Sequence, residues 1–102
     1  LMKYIADHIA QDLSLQMLAD YMHFHPVYLS RAFKETTGTT VGDYIAAVRL
    51  ERAKALLSGS RLPLQEIAVK TGFASTNYFC RWFHKEMHMT PKSYRDRKDS
   101  LT

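Results

Sequence analysis

The stretch "YLSRAF" at residues 28–33 returns as "YFCRWF" at residues 78–83, an offset of 50, with arginine at the fourth place each time. Self-similarity at a fixed spacing marks one supersecondary unit written twice, so the flanks should repeat as well. Upstream, Leu15, Leu18 and Ala19 are matched by Leu64, Ile67 and Ala68 at an offset of 49. Downstream, Thr40, Val41 and Tyr44 are matched by Thr90, Pro91 and Tyr94 at an offset of 50. The offset changes after Phe24 and Phe73, which places one extra turn residue in the second copy.

Each copy carries the start and stop signals of two short helices. Ser14 stands as N-cap before "LQMLADYM", whose Leu15, Leu18, Ala19 and Met22 follow the i, i+3, i+4, i+7 spacing of one buried face. Pro26 suits the first turn of the next helix because its missing N–H would have had no partner there. Leu29, Ala32 and Phe33 form that helix's apolar stripe, and Gly38 supplies a left-handed stop. In the second copy Gly72 stands at the turn, Ser75 is the N-cap, and Phe79 and Phe83 lead the stripe. Tyr28, Leu29 and Phe33, like Tyr78, Phe79 and Phe83, lie at i, i+1 and i+5 and are expected in the cores. The spacing predicts helix, short turn, helix, made twice.

Between the copies runs "TVGDYIAAVRLERAKALLSGS", apolar first at Val41, Tyr44, Ile45 and Val48, then at Leu50, Ala53, Leu56 and Leu57. At about 100° per residue the two stripes point roughly 140° apart. One helix with two differently aimed apolar faces can close two separate cores. The predicted architecture is all-α, about seven helices: a first helix-turn-helix subdomain over 1–40, a connector helix over 41–58, and a second helix-turn-helix subdomain over 59–102.

Composition narrows the function. The chain has 102 residues, 46% hydrophobic and 24% charged, which suits one folded domain rather than a disordered segment. It opens on Leu1 rather than Met, which is expected of a piece cut from something longer. No apolar run approaches the roughly 18–20 residues needed to cross a bilayer, and no secretory leader stands at the start. A cytoplasmic protein is expected, and the single cysteine, Cys80, makes no internal disulfide. Net charge is +4, but residues 1–25 set Lys3 against Asp7, Asp12 and Asp20, so residues 26–102 carry +6. A basic stretch of that size suits a polyanionic partner.

Cys80, His84 and His88 are spaced i, i+4, i+8, but the outer two lie about 12 Å apart along a helix axis, too far to share one ion on a straight helix. No glycine-rich phosphate loop, serine elbow or HExxH occurs, and the acidic residues are scattered, so neither an enzyme nor a cofactor is expected. The aromatic residues Phe33, Phe73, Phe79, Trp82 and Phe83, at helical spacing, are expected to fill cores rather than to stack on single-stranded bases.

The pattern "LADYMHFHPVYLSRAFKETTGTTVGDYIAAVRLERAKALL" followed by "EIAVKTGFASTNYFCRWFHKEMHMTPKSYR" resembles the DNA-binding module of AraC/XylS-family transcription regulators. The likeness covers residues 13–97, with Ile67, Ala68, Gly72, Phe73, Tyr78, Phe79, Arg81, Phe83, Thr90, Pro91, Tyr94 and Arg95 in signature order. The resemblance implies sequence-specific binding of double-stranded DNA by two recognition helices in successive major grooves, about 34 Å apart on one face. It implies base-edge contacts from Val27, Ser30 and Arg31 in the first copy and from Thr76, Asn77 and Arg81 in the second. Lys34, Thr40, Lys85 and Thr90 are the implied phosphate contacts. RNA polymerase as a partner, an activator's role, and a sensory or receiver domain upstream in the full chain are implied too. The alternative is a helical protein-interaction module without sequence-specific DNA binding. The sequence departs from the family at three histidines: His23 stands where the second copy has Gly72, His25 takes the Ser or Thr cap position, and His88 stands where the first copy has Gly38.

Overall fold

The computed structural model describes residues 1–11 and 13–101, with the side chains of 98–101 not described; Asp12, counted above in the charge balance, and Thr102, the end of the expected second subdomain, lie outside the described residues. Among these residues the fold is all-α, with α1 at Met2–Asp7, α2 at Leu15–Met22, α3 at Pro26–Thr37, α4 at Val41–Gly59, α5 at Leu64–Lys70, α6 at Thr76–Met87 and α7 at Pro91–Leu101. The chain divides into two compact units, residues 1–48 and 49–102, and the boundary falls inside α4.

The helix boundaries follow their chemistry. Ser14 Oγ accepts the Met17 N–H at 3.1 Å and Ser75 Oγ the Tyr78 N–H at 3.1 Å, so one otherwise unpaired first-turn donor is satisfied in each case. Thr40 and Thr90 cap α4 and α7 alike, each accepting an amide three residues on at 3.0 Å. The turn between paired helices has one geometry in both copies: the Phe24 N–H donates to Ala19 O and the Phe73 N–H to Ala68 O, both at 2.9 Å. A left-handed residue makes this possible, His23 at φ 60° in the first copy and Gly72 at φ 91° in the second. His88, at φ 59°, likewise ends α6 where Gly38, at φ 79°, ends α3. These two histidines therefore hold a backbone conformation that disfavours a side chain, as their positions in the repeat required.

The connector behaves as its two stripes predict. Val41 and Ile45 are buried in the first core with Leu18, Ala19, Leu29 and Phe33, while Tyr44 and Val48 pack against it. Ala53 and Leu57 are buried in the second core with Ile67, Ala68, Phe73, Phe79 and Phe83, and Leu50, Leu56 and Trp82 pack against it. The first core also contains Ile5 and Ile9, contributed by α1 and the turn that follows it. These two residues lie four apart, a helical signal that the repeat, having no counterpart for α1, does not reveal.

Tyr28 and Tyr78 are not core residues. They are 59% and 57% exposed, because at about 100° per residue each lies about 100° around its helix from the buried Leu29 or Phe79 and about 140° from Phe33 or Phe83, off the apolar stripe. Tyr28 meets Phe24 edge-on at 5.2 Å between ring centroids, and Tyr78 meets Phe73 at 5.7 Å. The copies diverge beneath those rings: Phe73 is buried whereas Phe24 remains exposed.

Candidate nucleic-acid interface

α3 and α6 bury one side and expose the other. On α3, Leu29 and Phe33 anchor the helix while Val27, Arg31 and Lys34 stand exposed and Ser30 is half-buried. Val27, Ser30, Arg31 and Lys34 recur at i, i+3, i+4 and i+7, so they share one face. Together with Leu15 from α2 and Pro26 they line a shallow open cleft of about 360 Å³. Its lining is apolar at Leu15, Pro26 and Val27 and carries two cations, Arg31 and Lys34. Leu15 and Pro26 were not anticipated at this surface, since the spacing of α2 marks Leu15 only as a core residue.

On α6 Asn77 and Arg81 stand exposed where the first copy has Val27 and Arg31, exposed His84 takes the place of Lys34, exposed Lys85 takes that of Glu35, and Thr76 is half-buried in the first turn. Phe79 and Phe83 lie fully buried beneath them. A short helix fixed by two buried aromatics and presenting amide, guanidinium and ammonium groups outward can donate several hydrogen bonds to an acceptor-rich surface.

The two threonines do not join these faces. Thr40 and Thr90 sit at the starts of α4 and α7, and their hydroxyl oxygens already accept backbone amides, that of Thr90 also donating to Ser93 Oγ at 2.9 Å. Cys80 is half-buried beside the second core, and burial pushes its thiol up from the ordinary value. Among the described residues no group of three or more His, Cys, Asp or Glu side chains is placed to hold a metal ion. No helix there is long and apolar enough to cross a membrane.

Arg95, a signature residue, points away from the exposed face. Its Nε donates to Leu57 O at 3.0 Å and its Nη2 to Ser60 O at 3.4 Å, so it ties α7 to the end of α4 and the turn beyond it. A cation there also offsets the negative end of the helix.

A helix-turn-helix family model matches residues 18–97, most of the chain and both copies. The chain belongs to the AraC-type helix-turn-helix family of DNA-binding transcription regulators. An uncharacterised helix-turn-helix transcriptional regulator of Bacillus subtilis, YobQ, is 39% identical over 93 residues, covering 91% of this chain and 39% of that protein. The chain thus spans well under half the length of that relative. Among solved structures, the C-terminal domain of AraT, a response regulator from Geobacillus stearothermophilus, superposes with a TM-score of 0.90 at 36% identity, covering 94% of this chain and 80% of that one. The DNA-binding domain of AdpA, solved with a target DNA, shares the fold at a TM-score of 0.90 and 21% identity, over 97% of this chain and 89% of that one. Within this AraC-type frame, α3 and α6 are the second helices of the two helix-turn-helix pairs.

Proposed function

We propose that this AraC-type domain reads double-stranded DNA with α3 and α6 as recognition helices laid in successive major grooves, the first subdomain being residues 1–40, the connector 41–58 and the second subdomain 59–102. The observation that carries this reading is the duplicated exposed face, in which an arginine stands four residues after Val27 on α3 and four after Asn77 on α6, each above a buried pair of apolar anchors. Arg31 and Arg81 grip guanine O6 and N7, Asn77 pairs with adenine, Val27 meets a thymine methyl, and Ser30 and Thr76 complete the base contacts. One short helix reads few base pairs; two extend the site without a dimer. Lys34 and Lys85 hold phosphates, and at Thr40 and Thr90 the backbone amides of the helix starts do so.

In the full-length protein this domain acts in the cytoplasm under a sensory, ligand-binding or receiver domain, and contact with RNA polymerase makes it an activator. Support for a further domain comes from the chain's spanning only 39% of YobQ, and support for DNA as the partner from the target DNA in the AdpA structure, whose fold it shares. The competing reading, a protein-interaction module, draws on the exposed Tyr21, Phe24 and Tyr28 of the first unit. Selection from a random duplex library separates the two. A bipartite site with half-sites about 10 base pairs apart is expected; indifference to every duplex at moderate salt would sink the DNA reading. On that site Arg81→Ala should cost about 1–3 kcal/mol while leaving scrambled DNA nearly unaffected, and an equal loss on both would make Arg81 a phosphate contact.

A further inference from the structure

We infer that His25 is the positioning residue of the first recognition helix, and that it works only as a neutral imidazole carrying its proton on Nε2. The inference rests on α3 being a recognition helix. Its observation is a hydrogen bond: the Val27 N–H donates to His25 Nδ1 at 3.3 Å. Elsewhere in the fold this task falls to hydroxyls, Ser14, Thr40, Ser75 and Thr90, each of which accepts the amide three residues on. The imidazole reaches only two residues on. Pro26 has no N–H, so the amide it serves is the first that α3 possesses, and it belongs to Val27, the 60% exposed residue at the leading end of the reading face.

A hydroxyl oxygen accepts at any ordinary pH. An imidazole nitrogen accepts only while it is unprotonated. Protonation at Nδ1 sets a donor against a donor and puts a positive charge on the positive end of the helix. The hold on Val27 is therefore present while Nδ1 is unprotonated and lost when that nitrogen takes up a proton. The cap of the second helix, the Ser75 hydroxyl, has no such dependence. The ionisable groups on the elements meeting at this turn are Asp20, whose Oδ1 accepts from Gln16 Nε2 at 3.0 Å, and Tyr21 on α2, His23 in the turn itself, and Tyr28, Arg31, Lys34 and Glu35 on α3. All of them remain when His25 alone is replaced, so their titration cancels in the comparison. Phosphates of bound DNA act in the opposite sense, favouring the imidazolium, and the sign of the pH effect decides which influence prevails.

The test measures binding by fluorescence anisotropy at about pH 8 and about pH 5.5, across the imidazole range. The duplexes are the selected site, the same site scrambled in the half whose discrimination Arg31→Ala abolishes, and the same site scrambled in the other half. For the native domain, discrimination of the first half-site should fall about fivefold on acidification, the scale of a lost helix cap, and His25→Ser should remove that fall. His25→Ser should keep discrimination at both pH values; His25→Ala should be weak at both. Helical circular dichroism of each variant confirms that loss of reading is not loss of fold. Parallel pH profiles for the native domain and His25→Ser would overturn the inference, as would stronger first-half reading at low pH that His25→Ser abolishes. If the native domain fails to discriminate either half-site at any pH, the recognition reading falls and this inference with it.

Discussion

At the scale of single residues, this fold depends on a few side chains that bond to backbone. Arg95 is the clearest, since one guanidinium serves Leu57 O at the end of α4 and Ser60 O in the following turn. Lysine offers a point charge where two donors of fixed direction are needed. Arg95→Ala should lower stability by about 1–2 kcal/mol, a value typical of charge-assisted bonds at a half-buried site. The check is a urea titration in which the midpoint moves and the slope does not; an unmoved midpoint would mean that solvent serves those carbonyls as well. His23 and His88 show the opposite economy. Each occupies a left-handed position that glycine fills in the other copy, and the copies still superpose their turn hydrogen bonds.

At the scale of elements, α4 is the informative helix. Its length and alanine content favour helix, yet no single apolar stripe runs along it, because its halves serve different cores. Ile45 and Leu57 are both almost fully buried, twelve residues apart on one helix, and touch no common core. Ile45→Ala and Leu57→Ala should each cost about 2–5 kcal/mol, the transfer and cavity terms together. Native-state hydrogen exchange reads where the loss falls. Protection should drop in α2 and α3 for Ile45→Ala and in α5 and α6 for Leu57→Ala. A uniform drop in both variants would show that the two cores open as one cooperative unit despite their separate contacts.

At the scale of the whole molecule, charge governs the encounter with DNA. Net charge is +4, while residues 26–102 carry +6, so both α3 and α6 lie in the basic part of the chain. Neutralising phosphates releases counterions, and affinity then falls with salt in proportion to the contacts made. Lys34→Ala and Lys85→Ala should each weaken all duplexes alike and shallow the salt slope by about one unit, and the double variant by about two. The slope is measured from affinities over a salt series on one scrambled duplex; a lysine whose loss leaves it unaltered is not a phosphate contact.

Periodicity and repetition alone determined the helical pairs, their caps, the two-faced connector and the exposed arginines, because each rests on spacing within one helix or on a residue that bonds a few places along the chain. The family resemblance came from the same local signals. Tertiary packing decided the rest. Ile5 and Ile9 enter the first core although nothing in the repeat announces them. Tyr28 and Tyr78 leave the cores because they stand about 100° or more off the stripe of Leu29 and Phe33 or of Phe79 and Phe83, an angle that the spacing itself contains. Leu15 joins Val27 and Arg31 in one cleft because α2 and α3 lie side by side, a contact made in space between positions that the chain keeps twelve residues or more apart. Arg95 reads as part of a motif in the sequence, and only its reach to α4, 38 residues back, shows that its work is structural.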